Sequence, residues 1–349
     1  MPHVTARPPV KAVVFAPQGP ALGEDERAFF ASCNPLGFIL MGRNCVEPDQ
    51  VRELVVELRG CVGREDAPVM IDQEGGRIAR LGPSHWRTAP AAARFGVLAE
   101  SDPRAAAEAA RLNARLIAAE LFDLGITVDC APVVDVPAPG AHDVIGDRAF
   151  GPDPERVISL GRAMCEGLMA GGVAPVLKHV PGHGRSRADS HLALPVVEAS
   201  RAELEAVDFA PFRALNAMPW AMTAHVRYPA LDADAPASTS ATIIAGTIRG
   251  DIGFGGVVLS DDLGMAALSG AMGARAAAVI AAGCDAALHC SGEPGEMAEI
   301  AAAVGALGEE TRERLAQAAA LVPESGAADL NAMAVRLDGL LGAEVGGGE

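Results

Sequence analysis

The sequence has 349 residues, of which 50% are hydrophobic and 21% charged, a balance that excludes a disordered chain and predicts a large buried core. Lys and Arg number 28 against 45 Asp and Glu, a net charge of −17, so nucleic acid and anionic membrane surfaces are not the expected partners. The first apolar run, residues 12–16, is too short for a signal core or a membrane span, and the protein is expected in the cytoplasm.

In chain order, short Val- and Ile-rich runs are each followed by an Ala-rich segment with helical spacing. Strands are predicted at residues 12–16, 37–41, 68–72, 126–131, 174–179, 220–225, 256–261 and 286–290. Helices are predicted near residues 24–31, 49–59, 103–124, 154–170, 201–216, 241–251, 274–282 and 296–304. Eight of each fit an α/β fold, a single (β/α)8 TIM-type barrel over about residues 11–305. The rival, a doubly wound open sheet, usually carries a Gly-rich dinucleotide fingerprint after its first strand, and Ala16-Pro17-Gln18-Gly19-Pro20 is not one. No linker divides the chain, so residues 1–349 read as one barrel domain, with a C-terminal helical extension and flexible tail from about residue 306. The seven cysteines are odd in number, scattered and never spaced Cys-x-x-Cys, which predicts reduced thiols and neither a disulfide framework nor a zinc knuckle.

In a barrel of this type the active site lies at the carboxyl ends of the strands. Strand three is followed by Asp72-Gln73-Glu74-Gly75-Gly76-Arg77, strand five by Lys178-His179-Val180-Pro181-Gly182-His183-Gly184, and strand seven by Ser260-Asp261-Asp262-Leu263. Strand six ends at His225. Charged groups converging on one rim point to a polar pocket for a polar ligand such as a sugar or a phosphate. Each also has a plainer use: Asp261 or Asp262 as a helix cap, and Gly75-Gly76 as a tight turn. Lys178 is either a Schiff-base nucleophile or a hydrogen-bond donor to substrate, the second being favoured. His179, His183 and His191 raise the question of metal, but Pro181, Gly182 and Gly184 break the helix that would align two imidazoles, so no metal is predicted and His183 is expected to bond within its own loop. The segment 184–191 has the composition of a mobile flap. In an extended stretch Asp189 and His191 project to one side, where carboxylate can orient imidazole; alternatively both are solvated loop residues.

Together these motifs resemble the bacterial β-N-acetylhexosaminidases of glycoside hydrolase family 3. Further matches are Gly37-Phe38-Ile39-Leu40 with Arg43-Asn44, Ala131-Pro132-Val133-x-Asp135-Val136, Ile145-Gly146-Asp147-Arg148-Ala149-Phe150 and Ala224-His225, so the resemblance covers roughly residues 30–300. It implies the family's barrel and, for its single-domain branch, removal of terminal β-linked N-acetylglucosamine from muropeptide fragments in peptidoglycan recycling. By position it implies Asp261 as nucleophile, His191 with Asp189 as acid/base pair, and Asp72, Arg80, Arg148, Lys178 and His179 as sugar-holding residues. No cofactor is required, and a monomer acting on a small carbohydrate (N-acetylglucosaminyl-anhydromuropeptides) is expected. Val180, Gly264 and Ala149 depart from the family's usual residues, and none removes a reacting group. A β-glycosidase or glycoside phosphorylase of other sugar preference, a non-catalytic sugar sensor on the same barrel and a lysine-dependent lyase are the competing readings.

Overall fold

The computed structural model describes residues 8–342. Eight parallel strands close into a barrel: β1 (Lys11–Phe15), β2 (Pro35–Leu40), β3 (Val69–Ile71), β4 (Val128–Asp129), β5 (Ala174–Val180), β6 (Trp220–Thr223), β7 (Val257–Asp262) and β8 (Ala286–His289). Each pairs with its neighbours in chain order, and the ring closes where Phe15 of β1 stands opposite Phe38 on β2 and His289 on β8. The predicted α/β barrel is the observed fold.

Side chains alternate across each strand, so each strand serves two apolar layers. On β1, Val14 packs with Ile39, Met70 and Leu259, whereas Val13 and Phe15 pack with Phe30 and Leu54 of the surrounding helices. The helix Pro48–Val62 shows why the outer layer forms: Val51, Leu54, Val55, Leu58 and Val62 recur at helical spacing and are all buried. Asp102 before Pro103, and Asp153 before Pro154, accept hydrogen bonds from the first free N–H groups of their helices and fix where those helices start. Gly37 is required by close approach, since a Cβ there would lie 2.4 Å from the Pro68 carbonyl oxygen.

Several elements differ from the sequence reading, each for a local reason. β4 regularly covers only Val128–Asp129; beyond it Pro132 has no N–H to donate, and pairing with β5 continues irregularly through the Ala131 and Pro132 carbonyls, which accept from Val176 and Lys178, and the Val134 N–H, which donates to the Lys178 carbonyl. The helices expected at 201–216 and 241–251 contain wider π turns at Leu204–Asp208 and Ile243–Asp251. A helix at Ala92–Ser101 was not foreseen.

The C-terminal part is helical as expected, with Glu309–Ala320 and Leu330–Leu341. Asp285, buried just before β8, accepts hydrogen bonds from Thr311 Oγ1 at 2.8 Å, from Arg314 at 2.7 Å and from Arg249 at 2.7 Å, tying the first of these helices to the barrel. Arg336 joins the second to Glu108 at 2.7 Å. The flexible tail was expected at the end of this segment, of which residues 343–349 lie outside the described residues. Among the described residues no helix is long and apolar enough to cross a membrane.

Candidate active site

The carboxyl ends of β3, β5 and β7 bring Asp72, Lys178 and Asp261 to one cavity, which Arg80, Arg148, His179 and His191 also line. Its floor is a lattice of opposite charges. Lys178 Nζ donates to Asp72 Oδ1 at 2.9 Å and pairs with Glu74 Oε1 at 2.7 Å. Arg148 grips Glu74 with both arms, Nε to Oε2 at 2.9 Å and Nη2 to Oε1 at 2.8 Å, while Arg80 donates to Asp72 Oδ2 at 3.0 Å. Burial alone would raise the Asp72 and Glu74 carboxyls; Lys178 with Arg80 at the first, and Lys178 with Arg148 at the second, outweigh it and hold both below the usual carboxylate range. Burial would likewise lower the Lys178 ammonium, but Asp72 and Glu74 hold it above its ordinary value. An amine held protonated by two carboxylates is a donor to substrate rather than a nucleophile, which favours the hydrogen-bonding reading of Lys178 over the Schiff-base one.

Glu74 was not singled out by sequence reasoning. The chain leaves β3 at Ile71, one residue earlier than predicted, and forms a small hairpin of Gln73–Gly75 with Ile78–Ala79. The tight turn expected at Gly75-Gly76 is present, both glycines having positive φ. That hairpin sends Asp72 and Glu74 to the same side, a period-two signal that the sequence did contain.

Beside the lattice, Asp135 is fully buried and organises two imidazoles. Its Oδ2 lies 2.8 Å from His179 Nδ1, and its Oδ1 accepts the backbone N–H groups of His179 at 3.2 Å and His183 at 2.7 Å. With Nδ1 engaged, His179 Nε2 is free to serve the cavity. His183 bonds within its own loop as expected, Nε2 to Ser190 Oγ at 3.3 Å.

Both of the paired aspartates on β7 line the cavity, each with its Oδ1 engaged by backbone N–H groups. Asp262 closes the turn, its Oδ1 accepting from the N–H groups of Gly264 and Cys290, both at 3.0 Å. Asp261 keeps one oxygen for the cavity, because among the described residues only its Oδ1 is engaged, by the Asp262 N–H at 2.8 Å. Burial would raise the Asp261 carboxyl; His179, His225, the Asp262 N–H and Lys178 outweigh it, so the group is a carboxylate at neutral pH. His225, beyond the end of β6, accepts from Ser238 Oγ at 2.6 Å and donates to the Asp262 carbonyl at 3.0 Å, which braces the turn.

His191 arrives from the loop after β5. Its Nδ1 lies 2.7 Å from Asp189 Oδ1, and its backbone N–H donates to the same oxygen at 2.8 Å. The extended stretch expected here is a turn instead, in which the N–H groups of Leu192 and Ala193 bond the Asp189 carbonyl, so the pair meets by local reversal. The loop is anchored on both sides of its tip. Ala138 donates to the Gly184 carbonyl, His142 to that of Ser186 and Ala267 to that of Ser190, while Arg185 Nε donates to buried Asp208 at 2.6 Å. Among the described residues no group of three or more His, Cys, Asp and Glu side chains is placed to hold a metal ion. Chemically, the cavity offers a carboxylate with a free oxygen, an imidazole with a free nitrogen and a polar floor rich in fixed donors and acceptors.

Comparison with known proteins gives a consistent answer. Residues 20–324 match the family described as glycosyl hydrolase family 3 N terminal domain. The β-hexosaminidase of Methylococcus capsulatus is 42% identical over 279 residues, 78% of this chain and 80% of that protein. That of Alkalilimnicola ehrlichii is 39% identical over 278 residues, 78% and 79% of the two chains. Native NagZ from Neisseria gonorrhoeae superposes with a TM-score of 0.86 at 33% identity, covering 97% of this chain and 99% of that one. The same protein in complex with N-trifluoroacetyl-D-glucosamine gives 0.87 at 32% identity, covering 97% and 100%. With its barrel matched from end to end, the chain belongs to glycosyl hydrolase family 3, as a glycoside hydrolase of the β-hexosaminidase type.

Proposed function

We propose that this protein is a retaining exo-β-N-acetylglucosaminidase that removes terminal β-linked N-acetylglucosamine from peptidoglycan-derived muropeptide fragments, acting as a cytoplasmic monomer. The observation that carries the reading is the convergence of Asp261, with one oxygen uncommitted, and His191, with Nε2 uncommitted, on one cavity. The complex of the similar Neisseria gonorrhoeae protein with an N-acylglucosamine supports the choice of sugar.

In the first step Asp261 Oδ2 bonds to the anomeric carbon as the bond from that carbon to the aglycone oxygen breaks, and the departing oxygen takes the proton from His191 Nε2. In the second step Nε2 takes a proton from water as the water oxygen bonds to the anomeric carbon and releases the Asp261 carboxylate. Asp189 holds the Nδ1–H tautomer throughout and stabilises the imidazolium that serves as the acid. Asp72, Arg80, Arg148, Lys178 and His179 hold the sugar. Asp72 accepts only one cation per oxygen, which leaves it lone pairs for sugar hydroxyls. Glu74 acts one layer back, fixing Lys178 and Arg148.

The test is release of 4-nitrophenol from its β-N-acetylglucosaminide beside the β-glucoside, with wild type and Asp261→Asn in parallel. Release from the first substrate, lost in the variant, is the expected result; no release from either, with the fold intact, would overturn the reading.

A further inference from the structure

Behind the rim of β7 lies a cluster that the proposed reaction does not use. His289, the last residue of β8, is completely buried and stands edge-on to Phe15, ring centroids 6.4 Å apart. Its Nε2 lies 2.7 Å from Ser291 Oγ and 3.1 Å from Glu296 Oε2 on the helix Pro294–Ala303, and Ser291 Oγ in turn donates to Glu296 at 2.6 Å. Among the described residues its Nδ1 has no hydrogen-bond partner, and it faces Asp262 Oδ1 at 3.7 Å. One imidazole is therefore enclosed between two carboxylates, one of them adjacent in sequence to Asp261.

The connection to Asp261 is short. Asp262 Oδ1 accepts the Cys290 N–H, joining the rims of β7 and β8, and the Asp262 N–H orients Asp261 Oδ1. We propose that His289 is a positioning residue for the glycosidase reaction proposed above: while neutral it leaves the Asp262 turn, and through it the Asp261 carboxylate, in the active arrangement, and its uptake of a proton ends activity on the acid side. The inference rests on that reading of Asp261.

The physical basis is a change in what Nδ1 offers Asp262. Neutral His289 donates from Nε2 towards Ser291 and Glu296 and presents a lone pair to Asp262, which leaves Asp262 Oδ1 to the Gly264 and Cys290 N–H groups. A proton on Nδ1 creates a third, charged donor for that oxygen, and the turn re-forms around it. The groups facing His289 oppose one another: burial and Arg43, whose guanidinium donates to the Cys290 carbonyl, disfavour the proton, while Asp262 and Glu296 favour it. The balance leaves imidazole neutral at neutral pH, with its ordinary value lowered mainly by burial.

The experiment is the pH profile of kcat and kcat/KM on the β-N-acetylglucosaminide for wild type, His289→Gln and Glu296→Gln, with unfolding midpoints recorded alongside. His289→Gln retains a donor towards Glu296 and cannot titrate; Glu296→Gln removes an anion that favours the imidazolium. Both are expected to move the acid limb to lower pH by at least about 0.5 unit while leaving kcat near pH 8 within about threefold of wild type. Superimposable acid limbs, or a loss equal at every pH, would overturn the inference. The His289 imidazole is also titrated directly by NMR in the full-length protein, where its signal is assigned by its loss in His289→Gln. Protonation that leaves the Asp261–Gly264 amide signals unmoved would overturn the inference whether or not the protein cleaves glycosides; absence of glycosidase activity overturns the reading of the function instead.

Discussion

Asp189 Oδ1 accepts two hydrogen bonds from His191, one from the imidazole Nδ1 at 2.7 Å and one from the backbone N–H at 2.8 Å. A single oxygen thus fixes both the tautomer and the position of a side chain that is otherwise 63% exposed. An exposed imidazole has little else to orient it, so the dependence on Asp189 is strong. Replacing Asp189 by Ala should lower kcat/KM about 10²-fold on a disaccharide substrate, whose alkoxide leaving group needs a proton. The loss should be far smaller with 4-nitrophenol as leaving group, since that oxygen departs unprotonated. Equal losses on the two substrates would show that Asp189 serves something other than proton donation.

The nucleophile assignment makes a covalent prediction. A slow-turnover fluorinated β-N-acetylglucosaminyl substrate should leave the sugar attached to the peptide containing Asp261, seen as a mass increase in the digest, and Asp261→Asn should abolish the adduct. Attachment at Asp262 instead would reverse the assignment, which takes Asp262 as the residue that closes the turn through its Oδ1.

The charge lattice predicts a stability effect separate from catalysis. Lys178 is the only cation shared by Asp72 and Glu74 among the ion pairs of the described residues, and its side chain is 3% exposed. Lys178→Met should cost about 3–5 kcal/mol in urea unfolding, since it leaves carboxylates buried with too little positive charge. Adding Glu74→Gln to that variant should recover part of the loss, a coupling that a double-mutant cycle reads directly. Strict additivity would mean that the two groups do not act as a pair.

The barrel was legible in the sequence because alternating apolar strands and amphipathic helices carry a strong periodic signal, and because the polar residues punctuating them fell at strand ends. Asp72, Arg80, Arg148, Lys178, His179, His191 and Asp261 do line one cavity, with Asp189 held behind His191. What escaped was set by long-range geometry. Glu74 reads as part of a Gly-led turn until the hairpin aims it at Lys178, 104 positions away in a distant strand. Asp135 appears only as one letter of a motif, although its two oxygens organise His179 and His183. The π turns leave no trace in the sequence, since an i to i+5 bond differs little in side-chain pattern from its neighbours.

The pair Arg185 and Asp208 predicts how the His191 loop is held. Burial pushes the Asp208 carboxyl up to about 6 even with Arg185 bonded to it at 2.6 Å, so the latch is fully charged only above that pH. Arg185→Met should reduce kcat about tenfold with KM nearly unchanged, because the loop carries the proton donor and not the sugar-holding residues. Arg185→Lys should restore part of the rate. A rise in KM at constant kcat would place the pair in substrate binding instead.

His183 predicts the pH dependence of folding. Burial, with a smaller contribution from neighbouring His179, pushes its imidazole down to about 4 from an ordinary value of 6.5. Because the folded value is the lower one, the unfolded chain takes up this proton first as pH falls. The stability that neutral His183 confers is complete above 6.5 and is lost as pH drops towards about 4. Across that window the loss is about 3 kcal/mol, since each pH unit between the two values is worth about 1.4 kcal/mol. Asp208 works against it over part of the same range, since its folded value is raised and its contribution declines as pH rises. The quantity to measure is therefore the difference in unfolding free energy between wild type and His183→Gln, taken by urea titration at intervals from pH 7 to pH 4. That difference should shrink steadily as pH falls. A difference independent of pH would mean that His183 accepts a proton as readily folded as unfolded, and that its contact with Ser190 is made by a solvated ring.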